Sequence, residues 1–131
     1  IQFASEVIDN TSSFSSNSFT APVAGYYFFY YNLALDAFDT GMTSATISLR
    51  SGASDYFASS RVDDKEFSAD TDNAVSKSAC AVKKLTSGAV VSVYWLQIGG
   101  TQQVDVISER NAATDPYPAS SSFGGHLISR L

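Results

Sequence analysis

The chain of 131 residues carries a formal net charge of −5 and is 44% hydrophobic but only 16% charged, a balance that fits one globular domain over residues 1–131. Binding to nucleic-acid phosphates requires clustered Lys and Arg, so we do not expect this acidic chain with 8 basic residues to bind nucleic acid. No stretch approaches the roughly 20 apolar residues that cross a bilayer, and no membrane span is expected.

The hydrophobic pattern has period two along most of the chain and predicts strands rather than helices. In chain order, the predicted strands are 1–8, 24–37, 42–49, 55–60, 74–85, 89–98, 102–108 and 123–131. Glycine-containing turns separate several of them, at Asp39-Thr40-Gly41, Ser51-Gly52, Ser87-Gly88 and Gly99-Gly100. Short strands at this spacing are typical of an all-β sandwich or jelly roll.

The predicted strand 24–37 is apolar on both sides, whereas a strand with one wetted side should alternate polar and apolar residues. The stripe expected to face the domain's own core is Tyr27, Phe29, Tyr31, Leu33 and Leu35. The opposite side, with Tyr26, Phe28 and Tyr30, needs a second cover, which is either a neighbouring strand or loop or a partner subunit.

The predicted strand 89–98 repeats this pattern. Val91, Val93 and Trp95 lie on one side, and Val90, Tyr94, Leu96 and Ile98 lie on the other. Two doubly apolar strands favour self-association. The residues predicted for the interface between subunits are Tyr26, Phe28, Tyr30, Tyr94 and Leu96.

Catalysis is not expected. His126 is the only histidine and has no acidic neighbour in sequence, so a Ser-His-Asp triad would need distant partners. Cys80 stands among Ala79, Ala81 and Val82, which favours an inert buried thiol over a nucleophile. We predict a protein that is not an enzyme.

Loops that combine charge with aromatic rings are candidates for ligand binding, because Tyr and Arg offer rigid contact area and hydrogen bonds. One candidate set is Tyr56, Arg61 and Asp63, and a second is Glu109, Arg110, Asn111, Asp115 and Tyr117. Arg110 with Tyr117 would suit a carboxylated sugar such as a sialic acid. The alternative is that these are ordinary solvent-exposed loops.

Acidic residues crowd the connection after the predicted strand 55–60, and carboxylate-rich loops are one way in which proteins bind calcium. Asp70 and Asp72 are the candidate ligands there. A solvated acidic face is the alternative. No other cofactor is expected.

Several segments in order resemble the globular-head domain of complement C1q and its relatives in the tumour-necrosis-factor superfamily. The N-terminal part of the likeness consists of Phe3, Asp9, Phe14, Phe19 and the run Gly25-Tyr26-Tyr27-Phe28-Phe29-Tyr30-Tyr31, together with the bend Phe19-Thr20-Ala21-Pro22-Val23-Ala24-Gly25. The C-terminal part is Leu85-Thr86-Ser87-Gly88 with the strand after it, and Phe123-Gly124-Gly125-His126-Leu127-Ile128. Residues 52–83 match weakly.

The resemblance implies a two-sheet jelly-roll sandwich of about ten strands that assembles as a homotrimer. It also implies a secreted, extracellular protein that binds surface glycans or microbial molecules in innate immunity, as a lectin-like pattern-recognition module. Two alternatives stay open: a structural head that trimerises an extracellular-matrix, shell or haemolymph protein, and a secreted signalling ligand for a cell-surface receptor.

Overall fold

The computed structural model describes residues 1, 12–15, 17–36, 38, 41–63, 75–101, 104–107 and 121–131. Within these ranges all regular secondary structure is β strand, and no helix occurs. The strands are β1 (Phe14–Ser15), β2 (Ser18–Thr20), β3 (Gly25–Asp36), β4 (Met42–Ser51), β5 (Asp55–Asp63), β6 (Val75–Leu85), β7 (Val90–Gly99), β8 (Asp105–Val106) and β9 (Ser122–Arg130). The all-β prediction is confirmed.

The strands form two antiparallel sheets. The five-stranded sheet has the order β1-β2-β7-β4-β5. In the four-stranded sheet β3 is central, with β6 along one edge and both β9 and β8 along the other. Several neighbours are far apart in sequence, such as β2 with β7 and β3 with β9, so the chain crosses repeatedly between the two sheets.

The hydrophobic core lies between the sheets and is built around alternate residues of β3. Tyr27, Phe29, Tyr31, Leu33 and Leu35 are each at most 1% exposed, which confirms the predicted inner stripe. Across the gap, the ring of Phe19 in β2 meets Phe29 edge-on with 5.2 Å between ring centroids. Ring contacts of this kind add about 0.5–1.5 kcal/mol to the free energy gained by burying apolar area.

The longer strands lie close to their predicted positions, but β1 and β2 were not predicted. β1 and β2 are too short to show a period-two pattern, and they are joined around Asn17, which has a φ of 65°. Of the predicted strand 102–108, the structure describes residues 104–107, and among these Asp105–Val106 form a strand. The predicted strand 1–8 lies, apart from Ile1, outside the described residues.

Cys80 is exposed, which corrects the expectation of a buried thiol. The registry of β6 against β3 explains the difference. Cys80 pairs with Tyr30 and therefore lies on the outer side of the four-stranded sheet, whereas Ala79 and Ala81 pair with the core residues Tyr31 and Phe29. An apolar sequence neighbourhood did not reveal on which side of the strand the thiol lies.

Two consecutive glycines in β9 allow β3 to carry large rings on both sides. Gly125 is opposite Phe29, and a Cβ atom built on Gly125 would lie 2.4 Å from the Phe29 ring. Gly124 is opposite Tyr30, and a Cβ atom there would lie 2.6 Å from the Tyr30 ring. Both distances are far below van der Waals contact, so any larger residue at these positions would force the facing ring to move.

The hydroxyl of Tyr31 links the two sheets. It donates to Ser60 Oγ at 2.8 Å and approaches the carbonyl oxygen of Ile47 at 3.3 Å, both in the five-stranded sheet. Ser60 Oγ in turn donates to the carbonyl of Ser78 in β6. Burial raises the pKa of the Tyr31 hydroxyl above 10.0 because it disfavours the phenolate, and the hydrogen bonds with Ser60 oppose this in part.

We predict that Gly125→Ala lowers the free energy of unfolding by about 1–3 kcal/mol, because the new methyl group overpacks the core at Phe29. Urea unfolding measures the loss. Combining Gly125→Ala with Phe29→Leu removes part of the clash, so the double variant should lose less stability than the sum of the single variants. Strict additivity of the two changes would contradict this account of the close approach.

A second prediction concerns alkaline pH. Because the pKa of Tyr31 is raised by folding, its contribution to stability is present below pH 10.0 and is lost as the pH rises through the raised value. Tyr31→Phe should cost about 1 kcal/mol at neutral pH through the lost hydrogen bonds, and should lessen the decline of stability as the pH rises above 10.0.

Urea unfolding at several pH values measures both effects. Tyr56→Phe is the matched control, because Tyr56 is 47% exposed and the same chemical change at a surface residue should stay within about 0.5 kcal/mol at neutral pH. If the stability of the Tyr31→Phe variant declined with pH as steeply as that of the wild type, Tyr31 would not be a source of the loss of stability at alkaline pH.

Candidate functional site

An irregularity in β5 brings the predicted residues Tyr56, Arg61 and Asp63 onto one face. Tyr56 and Arg61 are an odd number of positions apart, so a regular strand would direct them to opposite sides. The registry of β5 with β4 shifts between Tyr56 and Arg61, where Ala58 has a φ of 50°. All three predicted residues therefore point outward from the five-stranded sheet, as an extra residue in a strand reverses the alternation beyond it.

The three residues lie at two places along that face. Tyr56 is opposite Arg50, and Arg61 is opposite Thr46, so about 13 Å of strand separates them at about 3.3 Å per residue. Arg61 and Asp63 form an ion pair, with Nε and Oδ1 2.7 Å apart. Both side chains are largely exposed, at 69% and 52%, so this pair contributes little to stability and keeps both charges accessible.

Arg50, Tyr56 and Tyr94 form a cluster on the same face. The guanidinium carbon of Arg50 lies 4.2 Å from the centroid of the Tyr94 ring, and the rings of Tyr56 and Tyr94 are 5.7 Å apart. A guanidinium over a tyrosine ring is a favourable cation–π arrangement. The Nε atom of Arg50 is buried and has no hydrogen-bond partner among the described residues. The cluster combines a fixed positive charge with an exposed aromatic surface.

Sequence reasoning missed Arg50. The strand that contains it was recognised by its inner residues Ile47 and Leu49, and no sequence pattern indicated that Arg50 would meet Tyr94 of β7. One feature of the sequence could have indicated Arg50. It is the only charged residue among the alternate, outward positions of this strand, where the other residues are small and polar: Ser44, Thr46 and Ser48.

The outer side of the four-stranded sheet is a separate apolar surface, which we call the aromatic face. It is formed by Tyr26, Phe28 and Tyr30 of β3, Val82 of β6, and His126 and Ile128 of β9. Tyr26 and Tyr30 are each 41% exposed, Val82 is 56% exposed and Ile128 is 53% exposed. A contiguous exposed surface of this composition is typical of an interface.

The structure does not bring the five predicted interface residues together. Tyr94 and Leu96 pair with Ser48 and Thr46 and lie on the outer side of the five-stranded sheet. Tyr26, Phe28 and Tyr30 lie on the aromatic face, and the whole core separates the two groups. A contact between opposite sides of two neighbouring subunits would join copies of the chain head to tail. Such a contact closes into a ring only if the rotation from one subunit to the next permits it, and otherwise it continues into a filament.

Several predicted residues lie outside the described part of the chain. These are Glu109, Arg110, Asn111, Asp115 and Tyr117 of the second ligand set, and the candidate calcium ligands Asp70 and Asp72. Within the described ranges, no three His, Cys, Asp or Glu side chains come together as a metal site.

A comparison with protein-family models finds none that matches this chain, and no curated protein matches it either. Among the described residues there is no helix long and apolar enough to cross a membrane.

Proposed function

We propose that this chain is a C1q-like extracellular recognition domain that assembles as a homotrimer and binds surface glycans or microbial molecules. The observation that carries the proposal is the chemical difference between the two outer sides of one sandwich. One side is the aromatic face. The other presents tyrosines beside charged residues, with the cluster of Arg50, Tyr56 and Tyr94 and the ion pair of Arg61 with Asp63.

The strand order supports a jelly-roll wiring of the two sheets. Both sheets contain paired strands that are distant in sequence, such as β2 with β7 and β3 with β9, and the chain returns to the five-stranded sheet at β4 and again at β7 after visiting the other sheet. Repeated crossing of this kind, with antiparallel neighbours throughout, is the arrangement expected when Greek keys are wound into two packed sheets.

The aromatic face is the surface we assign to contact between subunits. Its centre consists of rings and aliphatic groups that gain free energy when they leave water, at about 25 cal/mol for each Å² of apolar area. Interface centres are depleted in charge and enriched in aromatic residues. A three-fold arrangement comes from the C1q resemblance, and Tyr94 and Leu96 then belong to the opposite, ligand-binding side.

The ligand-binding side suits polar, repeated ligands such as glycans. Tyrosine provides a rigid stacking surface at low entropic cost, while Arg50 and Arg61 provide donors for hydroxyl or carboxylate oxygens. Shallow sites of this kind bind weakly one at a time. Three copies on one trimer raise the overall affinity for a surface that repeats the ligand. Calcium, if Asp70 and Asp72 bind it, would be a further means of recognition.

We predict that the wild type sediments with three-subunit mass and that Val82→Lys shifts it towards single subunits. The introduced ammonium group would be buried unpaired in the contact, which should weaken association at least about tenfold. Val82 is already 56% exposed, so the separate subunit should keep its fold, as near-ultraviolet circular dichroism can verify.

Ile98→Lys is the matched control, because Ile98 is 62% exposed on the other outer side and the charge added is the same. It should sediment as the wild type does. The assignment of the aromatic face as the contact between subunits would be wrong if the wild type were monomeric. It would also be wrong if Val82→Lys and Ile98→Lys weakened association equally.

We also predict binding of the wild-type trimer in a glycan array and in a bacterial-binding assay. Tyr56→Ala and Arg61→Ala should each weaken binding by about fivefold or more, because truncating an anchoring Tyr or Arg typically costs over 1 kcal/mol. Thr43→Ala, an exposed change at the beginning of β4, is the control and should bind as the wild type does.

Running the arrays with calcium and with a chelator tests the metal separately. Absence of binding to every glycan and cell in both conditions, from a protein that is trimeric, would contradict the recognition proposal. That result would favour a structural trimerisation head instead.

A further inference from the structure

The single histidine of the chain lies on the aromatic face. His126 in β9 is opposite Phe28, and the centroids of their rings are 5.4 Å apart at an interplanar angle of 41°. The imidazole is exposed in the separate subunit. If the aromatic face is covered by another copy of the chain, His126 leaves water together with Phe28.

The surroundings of His126 on this face offer no neutralising carboxylate among the described side chains. The titratable or charged groups contributed by the neighbouring strands are Tyr26 and Tyr30 of β3, Cys80 and Lys84 of β6, and Arg130 at the exposed end of β9 itself. Lys84 and Arg130 add positive charge near the rim. A proton taken up by the imidazole would therefore be buried without an opposite charge from these strands.

We propose that proton uptake by His126 dissociates the assembly, so that the trimer is stable at neutral pH and separates in mildly acidic solution. The inference rests on the proposed assembly through the aromatic face. Burial in an apolar contact disfavours the charged imidazole relative to the neutral one. By linkage, a state that binds protons less well is favoured at high pH and is lost as the pH falls.

The size of the effect follows from the number of copies. Each subunit contributes one imidazole, so the penalty for protonating one imidazole enters the dissociation constant of the trimer as its third power. Histidine is the side chain whose ordinary charge change falls between pH 5 and 8, and this chain has only one. If assembly changes between pH 5 and 8, His126 is therefore the first side chain to test as the cause.

The experiment is sedimentation velocity on the wild type, His126→Phe and His126→Lys at pH 7.5, 6.5 and 5.5. The wild type should have three-subunit mass at pH 7.5 and lose it by pH 5.5. His126→Phe keeps a flat ring against Phe28 without a titrating group, and should stay assembled at all three pH values. His126→Lys carries a permanent charge, and should be dissociated already at pH 7.5.

The control is Ile98→Lys, which adds the same positive charge on the opposite side and should follow the wild type at every pH. Near-ultraviolet circular dichroism at each pH verifies that the subunits remain folded. A wild type that is monomeric at pH 7.5 overturns the proposed assembly itself. A wild type that is trimeric at pH 7.5 and equally trimeric at pH 5.5, or a His126→Phe variant that still dissociates, leaves the assembly standing and overturns the role of His126.

Discussion

The strand β3 has large apolar side chains on both of its sides, and most of the molecule's organisation follows from this. Its inner rings, Tyr27, Phe29 and Tyr31, fill the space between the two sheets and are almost completely buried. Its outer rings cannot share that core, because successive side chains of a strand point to opposite sides. A single subunit therefore buries half of the strand and leaves the other half as the aromatic face.

The opposite side of the sandwich is organised by a local departure from regular strand geometry. The shift of registry near Ala58 in β5 places Tyr56 and Arg61 on the same side. The tyrosine then lies beside Tyr94 and the guanidinium of Arg50, which come from two other strands. The proposed ligand-binding surface is thus assembled from three adjacent strands of a rigid sheet. Rigid placement lowers the entropic cost of binding a ligand.

The period-two pattern was sufficient for the long strands and for the inner stripe of β3, because apolar residues at every second position over such a length match a strand and do not match the 3.6-residue period of a helix. It failed for very short strands and where a side chain's position depends on contacts distant in sequence. The pattern did not reveal β1 and β2, which are too short to alternate, and it misjudged Cys80, whose side of the strand depends on pairing with Tyr30.

The sequence predicted which residues belong to the candidate site, but it did not predict how they are arranged. Composition identified Tyr56, Arg61 and Asp63 as a charged and aromatic group, but a regular strand would have separated the tyrosine from the other two. The irregularity that unites them is a property of the pairing of β4 with β5. Likewise, Tyr94 and Leu96 were grouped with Tyr26 because all are apolar and outward, and only the sheet arrangement shows that they lie on opposite sides.

The two outer sides of the sandwich differ in how much their residues depend on the packing of the core. Gly125 makes room for the inner ring of Phe29, and the adjacent Gly124 makes room for the outer ring of Tyr30, so the core and the aromatic face depend on the same short segment of β9. The row of β4 beneath the charged side consists of small polar residues and Arg50, none of which fills the core. Substitutions on the charged side should therefore leave the core packing and the aromatic face intact. Under the proposed function, a change of ligand on the charged side therefore need not alter assembly through the aromatic face.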